Sequence, residues 1–238
     1  MARAPWRLAT FNSWRNRTQS TLTLSDGNVI TIKHDKPLTD GNFVISAIPT
    51  IILAESGSTG STDDTASEES NRIIGTNRAD RLFGADNVAD TIVGRNGSDR
   101  IQGRSGNDRL VGGNGNDRLF GENDDDVLIG GRGRDRLVGG EGDDTLRGNG
   151  GNDRLEGGLG NDLMIGGGGR DRYILTATGG SDTIRGFRLD QDQLRFRGIN
   201  RAQLDFIQED QDTLLQLNGE DLATIIRTNA ADLEAAFG

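Results

Sequence analysis

Aspartate recurs along the middle of this 238-residue chain at a spacing of nine residues. Between residues 75 and 174 there are eleven such aspartates, each followed two positions later by a large apolar residue, and only the first interval is ten residues long. Carboxylate oxygens are the hard ligands that Ca²⁺ prefers. The candidate carboxylate ligands are Asp80, Asp90, Asp99, Asp108, Asp117, Asp126, Asp135, Asp144, Asp153, Asp162 and Asp171.

The composition excludes several other kinds of chemistry. His34 is the only histidine and there is no cysteine, which rules out a disulfide framework, a thiolate metal site and a zinc site with two histidine ligands. With 37 acidic and 27 basic residues the chain has a formal net charge of −10. This balance suits cations and argues against general binding of duplex nucleic acid, so we expect no nucleic-acid partner.

The repeating unit reads G-G-x-G-x-D-x-U-x, where U is a large apolar residue, and Gly112–Phe120 is a full match. Its first six residues predict a turn and its last three a short strand. We expect glycines at positions 1, 2 and 4 to adopt positive φ angles and to direct their carbonyl oxygens into the turn. The candidate carbonyl ligands are Gly94, Gly97, Gly103, Gly106, Gly112, Gly113, Gly115, Gly130, Gly131, Gly133, Gly139, Gly140, Gly142, Gly148, Gly151, Gly157, Gly158 and Gly160.

Eleven such units in succession resemble the RTX (haemolysin-type) calcium-binding nonapeptide repeats. The resemblance implies an all-β fold, a right-handed parallel β-roll in which successive units alternate between two sheets and each turn stacks on the next but one. Eleven units then give nine positions between stacked turns, and so up to about nine Ca²⁺ ions. Each ion would be held by the aspartates and the carbonyl groups of two turns. The alternative is a disordered Gly/Asp-rich segment, which we expect only for the calcium-free form.

Three units depart from this pattern. Arg78 replaces the position-4 glycine of the first unit, the second unit carries the one-residue insertion, and Asp124 stands at position 4 of the sixth. Aspartate tolerates the left-handed region better than most residues do. We therefore expect poorer sites in the first two units than in the sixth.

Arginine follows the aspartate in every odd-numbered unit. If units alternate between sheets, one sheet carries an outward column of arginines about 4.8 Å apart. In one interpretation these side chains balance the aspartates and cover the sheet with their stems. In the other they bind an anionic polysaccharide or membrane surface. The column comprises Arg81, Arg100, Arg118, Arg136, Arg154 and Arg172.

The sequence predicts five segments: a basic tail (1–17), a small β segment (18–54), an acidic polar linker (55–71), the repeat region (72–174) and a C-terminal cap (175–238). Thr21–Leu24 and Val29–Ile32 predict strands around an Asp26-Gly27 turn, and Asn229 predicts the N-cap of a helix over 230–237. The apolar stretch 43–54 is too short to cross a bilayer, and the N-terminus lacks the apolar core of a secretory signal.

Residues 181–196 and 221–237 are similar to the segments that follow the repeats in RTX proteins. This resemblance implies an uncleaved C-terminal signal for a type I exporter, and thus a secreted or cell-surface protein of bacterial type. A cap that serves stability alone is the alternative. The chain has no HExxH motif and no GxSxG motif with candidate bases, so we expect no enzymatic activity.

The predicted function is that of a secreted calcium-binding β-roll protein with a structural or interaction role. The first alternative is a Ca²⁺-dependent module that binds anionic polysaccharide or membrane through the arginine column, and the second is an accessory module of an extracellular enzyme.

Overall fold

The computed structural model describes residues 19–23, 29–33, 51–53, 64–65 and 72–236. The chain forms two compact units, Met1–Ile48 and Pro49–Gly238. The predicted basic tail, His34 and most of the predicted linker lie outside the described residues.

In the first unit, β1 (Gln19–Thr23) pairs antiparallel with β2 (Val29–Lys33). Alternating apolar and polar residues favour such strands. Both predicted strands are therefore confirmed, while the Asp26-Gly27 turn between them is outside the described residues.

The described residues of the second unit form nineteen strands, one short 3₁₀ turn (Arg201–Gln203) and one helix, α1 (Ala230–Ala236). The strands are β3 (Ile51–Leu53), β4 (Asp64–Thr65), β5 (Arg72–Ile74), β6 (Arg81–Phe83), β7 (Thr91–Asn96), β8 (Arg100–Ser105), β9 (Arg109–Asn114), β10 (Arg118–Asn123), β11 (Val127–Arg132), β12 (Arg136–Glu141), β13 (Thr145–Gly150), β14 (Arg154–Leu159), β15 (Leu163–Gly168), β16 (Arg172–Thr176), β17 (Asp182–Arg185), β18 (Gln193–Arg197), β19 (Leu204–Glu209), β20 (Asp212–Leu217) and β21 (Glu220–Ile225).

Successive strands of the repeat region alternate between two parallel sheets. The eight-strand sheet has the order β18-β16-β14-β12-β10-β8-β6-β4, and the eleven-strand sheet has the order β19-β20-β21-β17-β15-β13-β11-β9-β7-β5-β3. From β7 to β16, residues 18 positions apart pair in register, as Leu119 does with Leu137. The one-residue insertion makes this separation 19 between β5 and β7 and between β6 and β8. This arrangement confirms the expected all-β roll.

The core lies between the two sheets and follows the repeat. The apolar residue two positions after each aspartate is fully buried in all eleven units, because the short strands alternate inward and outward side chains. This inward column runs through Leu82, Ile92, Ile101, Leu110, Leu119, Leu128, Leu137, Leu146, Leu155, Met164 and Tyr173.

Both sheets continue beyond the ends of the repeat pattern. On the N-terminal side, β3 pairs with β5 and β4 pairs with β6, so strands from the predicted small β segment and linker belong to the roll. On the C-terminal side, β17 pairs with β15 and β18 with β16, both in parallel. The sequence pattern predicts that β17 and β18 belong to the cap, because their aspartates are spaced 20 and 21 residues from the equivalent turns instead of 18.

At the C-terminal end of the eleven-strand sheet, β21 pairs in parallel with β17, and β20 pairs antiparallel with both β21 and the edge strand β19. The helix α1 lies beside β19. Asn229 caps this helix, since its side-chain oxygen accepts the backbone N–H of Asp232 at 3.1 Å. The predicted helix is confirmed over Ala230–Ala236. In the described part of the chain, no helix is long and apolar enough to cross a membrane.

Candidate metal centre

The turns that join the two sheets stack in two columns. The first turn column leads from the eleven-strand to the eight-strand sheet, and the second turn column leads back. The first holds Asp80, Asp99, Asp117, Asp135, Asp153 and Asp171, and the second holds Asp90, Asp108, Asp126, Asp144 and Asp162.

In both columns the aspartates form a ladder along the stack. From Asp99 onward, the Oδ1 atom of each aspartate accepts the backbone N–H of the aspartate one turn earlier, as Asp126 does from Asp108 at 2.8 Å and Asp144 does from Asp126 at 2.8 Å. Ten of the eleven aspartates predicted as ligands are at most 2% exposed. The structure therefore brings them together in two continuous rows, with Asp80 at the less buried end of the first.

The second carboxylate oxygen behaves differently. In nine successive units, from Asp99 to Asp171, the Oδ2 atom is buried and has no hydrogen-bond partner. A buried carboxylate oxygen without a partner is costly unless a cation or a proton compensates it. These nine oxygens are Oδ2 of Asp99, Asp108, Asp117, Asp126, Asp135, Asp144, Asp153, Asp162 and Asp171.

The first two units lack this free oxygen. The Oδ2 atom of Asp80 accepts the backbone N–H of Thr76 at 2.6 Å, and that of Asp90 accepts the N–H of Ala85 at 2.7 Å. Neither Thr76 nor Ala85 has a positive φ, whereas the residue at position 2 has one in each of the nine later units. The later turns thus have a shape that leaves Oδ2 without an N–H partner.

The glycines serve two purposes, and the expectation of positive φ at position 1 is wrong. Positive φ occurs at positions 2 and 4, as in Gly113 and Gly115. Position 1 needs glycine for space instead: a Cβ at Gly112 would overlap Oδ2 of Asp117 and lie 2.6 Å from the carbonyl oxygen of Gly130. Carboxylate and carbonyl oxygens therefore converge where a side chain would otherwise lie.

The carbonyl groups at positions 2 and 4 point toward the following turn. A Cβ at Gly131 would overlap the carbonyl oxygen of Gly113, and a Cβ at Gly133 would overlap that of Gly115. Ca²⁺ takes six to eight oxygen ligands. The carboxylates and carbonyls between two turns are oxygen donors of this kind, although in the described residues no three His, Cys, Asp or Glu side chains form a metal-binding group by themselves.

The ladders have two further members that the nine-residue period does not predict, Asp182 and Asp192. Asp182 Oδ1 accepts the N–H of Asp162 at 3.2 Å, and Asp192 Oδ1 accepts the N–H of Asp171 at 3.0 Å. Both are followed two positions later by a buried apolar residue, Ile184 or Leu194. This D-x-U signature is the signal that would have found them despite the irregular spacing.

A second, outer ladder uses the side chains at position 5. The Asn116 oxygen accepts the N–H of Arg134 at 2.7 Å, and Asp125 Oδ1 accepts the N–H of Asp143 at 2.8 Å. Short polar side chains suit this position because they bond readily to nearby backbone groups. The outer ladder fixes the spacing of the turns from the solvent side.

Burial raises the pKa of the ladder carboxyls well above the usual 3.8. Desolvation is the main cause, opposed by the backbone N–H donated to Oδ1, and it raises the pKa of Asp99 and Asp153 to about 7 and that of Asp126 to about 8. Neighbouring ladder carboxylates add repulsion, for example Asp144 on Asp126. Ionised carboxylates in either turn column therefore need a counter-ion.

These pKa values predict that acid stabilises the roll when calcium is chelated. A raised pKa in the folded state stabilises that state fully below pH 3.8, and the stabilisation is lost as the pH rises through 6 to 8. In EDTA, far-ultraviolet circular dichroism should report more β structure at pH 5 than at pH 8. Calcium binding should weaken as the pH falls from 8 to 6, because protons then compete for the carboxylates. The affinity should fall by about tenfold per pH unit for each proton displaced. Equal apo spectra at the two pH values would contradict this.

The predicted arginine column is present on the eight-strand sheet. Arg81, Arg100, Arg118, Arg136, Arg154 and Arg172 occupy successive in-register positions. Among the described residues, Arg154 alone of the six makes an ion pair, with Glu156 at 3.2 Å. The guanidinium carbons of Arg100 and Arg136 lie 5.0 and 5.7 Å from the ring centre of Phe120.

The two turn columns carry opposite charge outside the aspartate ladders. We compare positions 2 to 5 of the repeat units from Gly94 onward. In the first turn column these positions hold four arginines and no acidic residue. In the second turn column they hold five acidic residues and one arginine. A groove runs from the first turn column onto the eight-strand sheet and is lined by seven arginines: Arg100, Arg118, Arg134, Arg136, Arg154, Arg170 and Arg172.

Comparison with known proteins identifies the repeats. A family model described as the RTX calcium-binding nonapeptide repeat matches residues 85–119, 102–137 and 138–173. Residues 85–173 are therefore RTX calcium-binding nonapeptide repeats, folded as a parallel β-roll.

No curated protein matches the sequence. Among solved structures, the extracellular lipase LipA from Serratia marcescens is similar with 20% sequence identity and a TM-score of 0.30, over 71% of this chain and 39% of the lipase chain. The chain thus spans well under half the length of that lipase.

Proposed function

We propose that this protein is a secreted, non-catalytic module whose roll folds when calcium binds between stacked turns. The observation that carries the proposal is the row of nine buried aspartate Oδ2 atoms without hydrogen-bond partners. RTX repeats are calcium-binding, and their β-roll is typically non-catalytic. The ligands would be the aspartates of the ladder, Asp99 to Asp171, with the position-1, position-2 and position-4 carbonyls of the same turns. Seven gaps lie between two turns that both have a free Oδ2, and two more lie against the turns of Asp80 and Asp90, so up to about nine ions would bind.

Replacing one ladder carboxylate by its amide tests the calcium assignment. In Asp126→Asn the side-chain oxygen can still accept the N–H of Asp108, but the second oxygen and the negative charge are lost. Because the aspartate serves the gaps on both sides of its turn, we expect one or two fewer bound ions, measured by equilibrium dialysis. Asp125→Asn is the matched control, since exposed Asp125 Oδ1 also accepts a backbone N–H. Wild-type stoichiometry in Asp126→Asn would overturn the assignment.

Export through a type I system is the second part of the proposal. RTX repeats are characteristic of secreted bacterial proteins. A chain that stays expanded at low cytosolic calcium and folds outside the cell suits one-step export, because the folding free energy comes from calcium binding. Deleting residues 221–238 should abolish recovery of the protein in the medium while the intracellular amount is maintained. Undiminished secretion would show that this segment is only a cap.

The second candidate function is Ca²⁺-dependent binding of an acidic polysaccharide, and the arginine-lined groove favours it. Like charges in register on adjacent strands repel one another, and a linear polyanion would relieve this repulsion along the whole column. Loading with calcium also changes the charge of the region. Residues 75–174 hold 18 acidic residues and 14 arginines. Nine Ca²⁺ ions would thus convert a net charge of −4 into +14, which attracts anions.

A pair of triple variants tests this candidate. Arg118→Gln, Arg136→Gln and Arg154→Gln together should remove salt-sensitive binding to an acidic polysaccharide such as polyuronate in CaCl₂. The control replaces three arginines of the eleven-strand sheet, Arg109, Arg147 and Arg185, by Gln. It therefore changes the net charge by the same amount. Equal loss in both triples would mean non-specific attraction, and no binding by the wild type would reject this candidate.

A further inference from the structure

The last gap of the first turn column differs from the gaps within the repeats, because an arginine side chain occupies it. The Arg188 guanidinium donates a hydrogen bond to the carbonyl oxygen of Gly169 at 2.7 Å. The same Nη2 atom lies 3.9 Å from Oδ2 of Asp171 and 3.6 Å from Oδ1 of Asp192. A position-4 carbonyl and the aspartates of two successive turns are the donor set that the repeats offer to a cation. Here a guanidinium is placed among them.

Asp192 is also less available to a metal ion than the aspartates of the repeats. Its Oδ2 atom accepts the backbone N–H of Arg188 at 2.9 Å, and its own N–H donates to the Arg188 carbonyl at 2.7 Å. Both carboxylate oxygens of Asp192 therefore have N–H partners, since Oδ1 accepts the N–H of Asp171. In the nine repeat units with free oxygens, Oδ2 has no such partner.

The position of Arg188 is fixed by the extension of this turn and by its neighbour in the chain. The spacing from Asp171 to Asp192 is 21 residues, three more than within the repeats, which provides room for Arg188. Phe187 packs against Tyr173, with ring centroids 5.8 Å apart. The Tyr173 hydroxyl in turn accepts the N–H of Gly166 at 2.8 Å, so Arg188 is attached to the core of the last turns.

The second turn column ends without a comparable cation among the described residues. Its last pair is Asp162 and Asp182, whose ladder bond is 3.2 Å long and whose pKa values are both raised, mainly by burial. The residues between Gly179 and Asp182 are glycine and serine. The two columns therefore end differently, one with a guanidinium and the other with a pair of carboxyl groups that needs a cation or a proton.

We propose that the Arg188 guanidinium takes the place of a calcium ion in the last gap of the first turn column. This gap then holds no Ca²⁺, and β18 stays docked on β16 before calcium binds. The C-terminal end of the roll thereby presents a preformed sheet edge to which the preceding turns add as they bind calcium. The inference rests on the proposed calcium-dependent folding of the remaining turns.

Hydrogen exchange of the full chain in EDTA at pH 8 tests this proposal. The Gln193 N–H, which donates to the Asp171 carbonyl, should exchange at least about tenfold more slowly than the Arg136 N–H, which donates to the Asp117 carbonyl in mid-roll. Arg188→Gln should remove this difference. Arg170→Gln is the matched control, because it makes the same charge change at an exposed position of the turn before β16 and should keep the difference.

The outcomes separate this inference from the proposed function. Equal exchange of the two amides in the wild type, or unchanged protection of Gln193 in Arg188→Gln, would overturn the role of Arg188. Addition of CaCl₂ should protect the Arg136 N–H in every variant. If calcium protects neither amide in any variant, calcium-dependent folding itself is wrong. Because the main comparison is made within the wild type, it does not depend on whether Arg188→Gln folds.

Discussion

Chelation of calcium at pH 8 should unfold most of the repeat region. Eight of the nine buried Oδ2 atoms would then lack a counter-ion, since only that of Asp171 has a cation, Arg188, at 3.9 Å, while the inward column supplies only one apolar side chain per nine residues. Ordering a backbone residue costs about 1–2 kcal/mol, so this single column cannot offset the ordering of the turns. Metal binding must therefore supply folding free energy.

Circular dichroism and small-angle X-ray scattering of the full chain should both detect the change. Parallel sheet signal should be largely lost in EDTA and return in millimolar CaCl₂. The radius of gyration of a 100-residue chain differs about twofold between its compact and unfolded states. MgCl₂ at equal concentration is the control and should not restore the fold, because Mg²⁺ requires near-ideal octahedral geometry. Spectra and radius that are the same with EDTA and CaCl₂ would contradict calcium-coupled folding.

Alanine at Gly151 should be strongly destabilising, whereas alanine at the adjacent Gly150 should be tolerated. Gly151 has a φ of +136°, and a Cβ there would overlap the carbonyl oxygen of Gly133 in the preceding turn. The backbone strain alone costs about 1–3 kcal/mol, because residues other than glycine rarely adopt this φ, and displacement of the stacked carbonyl adds to it. At Gly150 the nearest atom to a new Cβ is the Gly131 carbonyl oxygen at 3.8 Å, which is ordinary contact.

Urea unfolding in saturating CaCl₂ measures this difference. The free energy of unfolding should fall by at least about 2 kcal/mol in Gly151→Ala and change by less than about 0.5 kcal/mol in Gly150→Ala. The two glycines are adjacent and undergo the same chemical change, and they differ in the φ angle and in the contact with the preceding turn. Equal unfolding midpoints would mean that the turns do not stack as closely as the structure places them.

The periodic features of the molecule could be predicted because they repeat at the spacing that the fold imposes. A nine-residue unit with one turn and one short strand returns every second unit to the same sheet, so the aspartates, the inward apolar residues and the alternating arginines form columns. The capped helix near the C-terminus could also be predicted, since the Asn229 cap is a local interaction.

Features that depend on turns of irregular length could not be predicted in this way. Strands β17 and β18 continue the two sheets although their spacing departs from nine, and Asp182 and Asp192 extend the ladders for the same reason. Strands β3 and β4 pair with β5 and β6 at separations of 21 and 18 residues, although their own sequences lack the repeat unit. Such pairing is decided by packing against the growing sheet edges, which a sequence period does not encode.

The sequence by itself determined the repeat, its oxygen-rich ligands and the residues that line the core, because each of these follows from a fixed period and the chemistry of single side chains. Only the tertiary structure decided what each atom does. In the ladder, Oδ1 accepts a backbone N–H and Oδ2 has no hydrogen-bond partner. Within the later repeat units, positive φ occurs at positions 2 and 4. The Arg188 guanidinium lies between Asp171 and Asp192. The physical reason is that these roles arise between stacked turns, where groups distant in sequence meet in a buried environment.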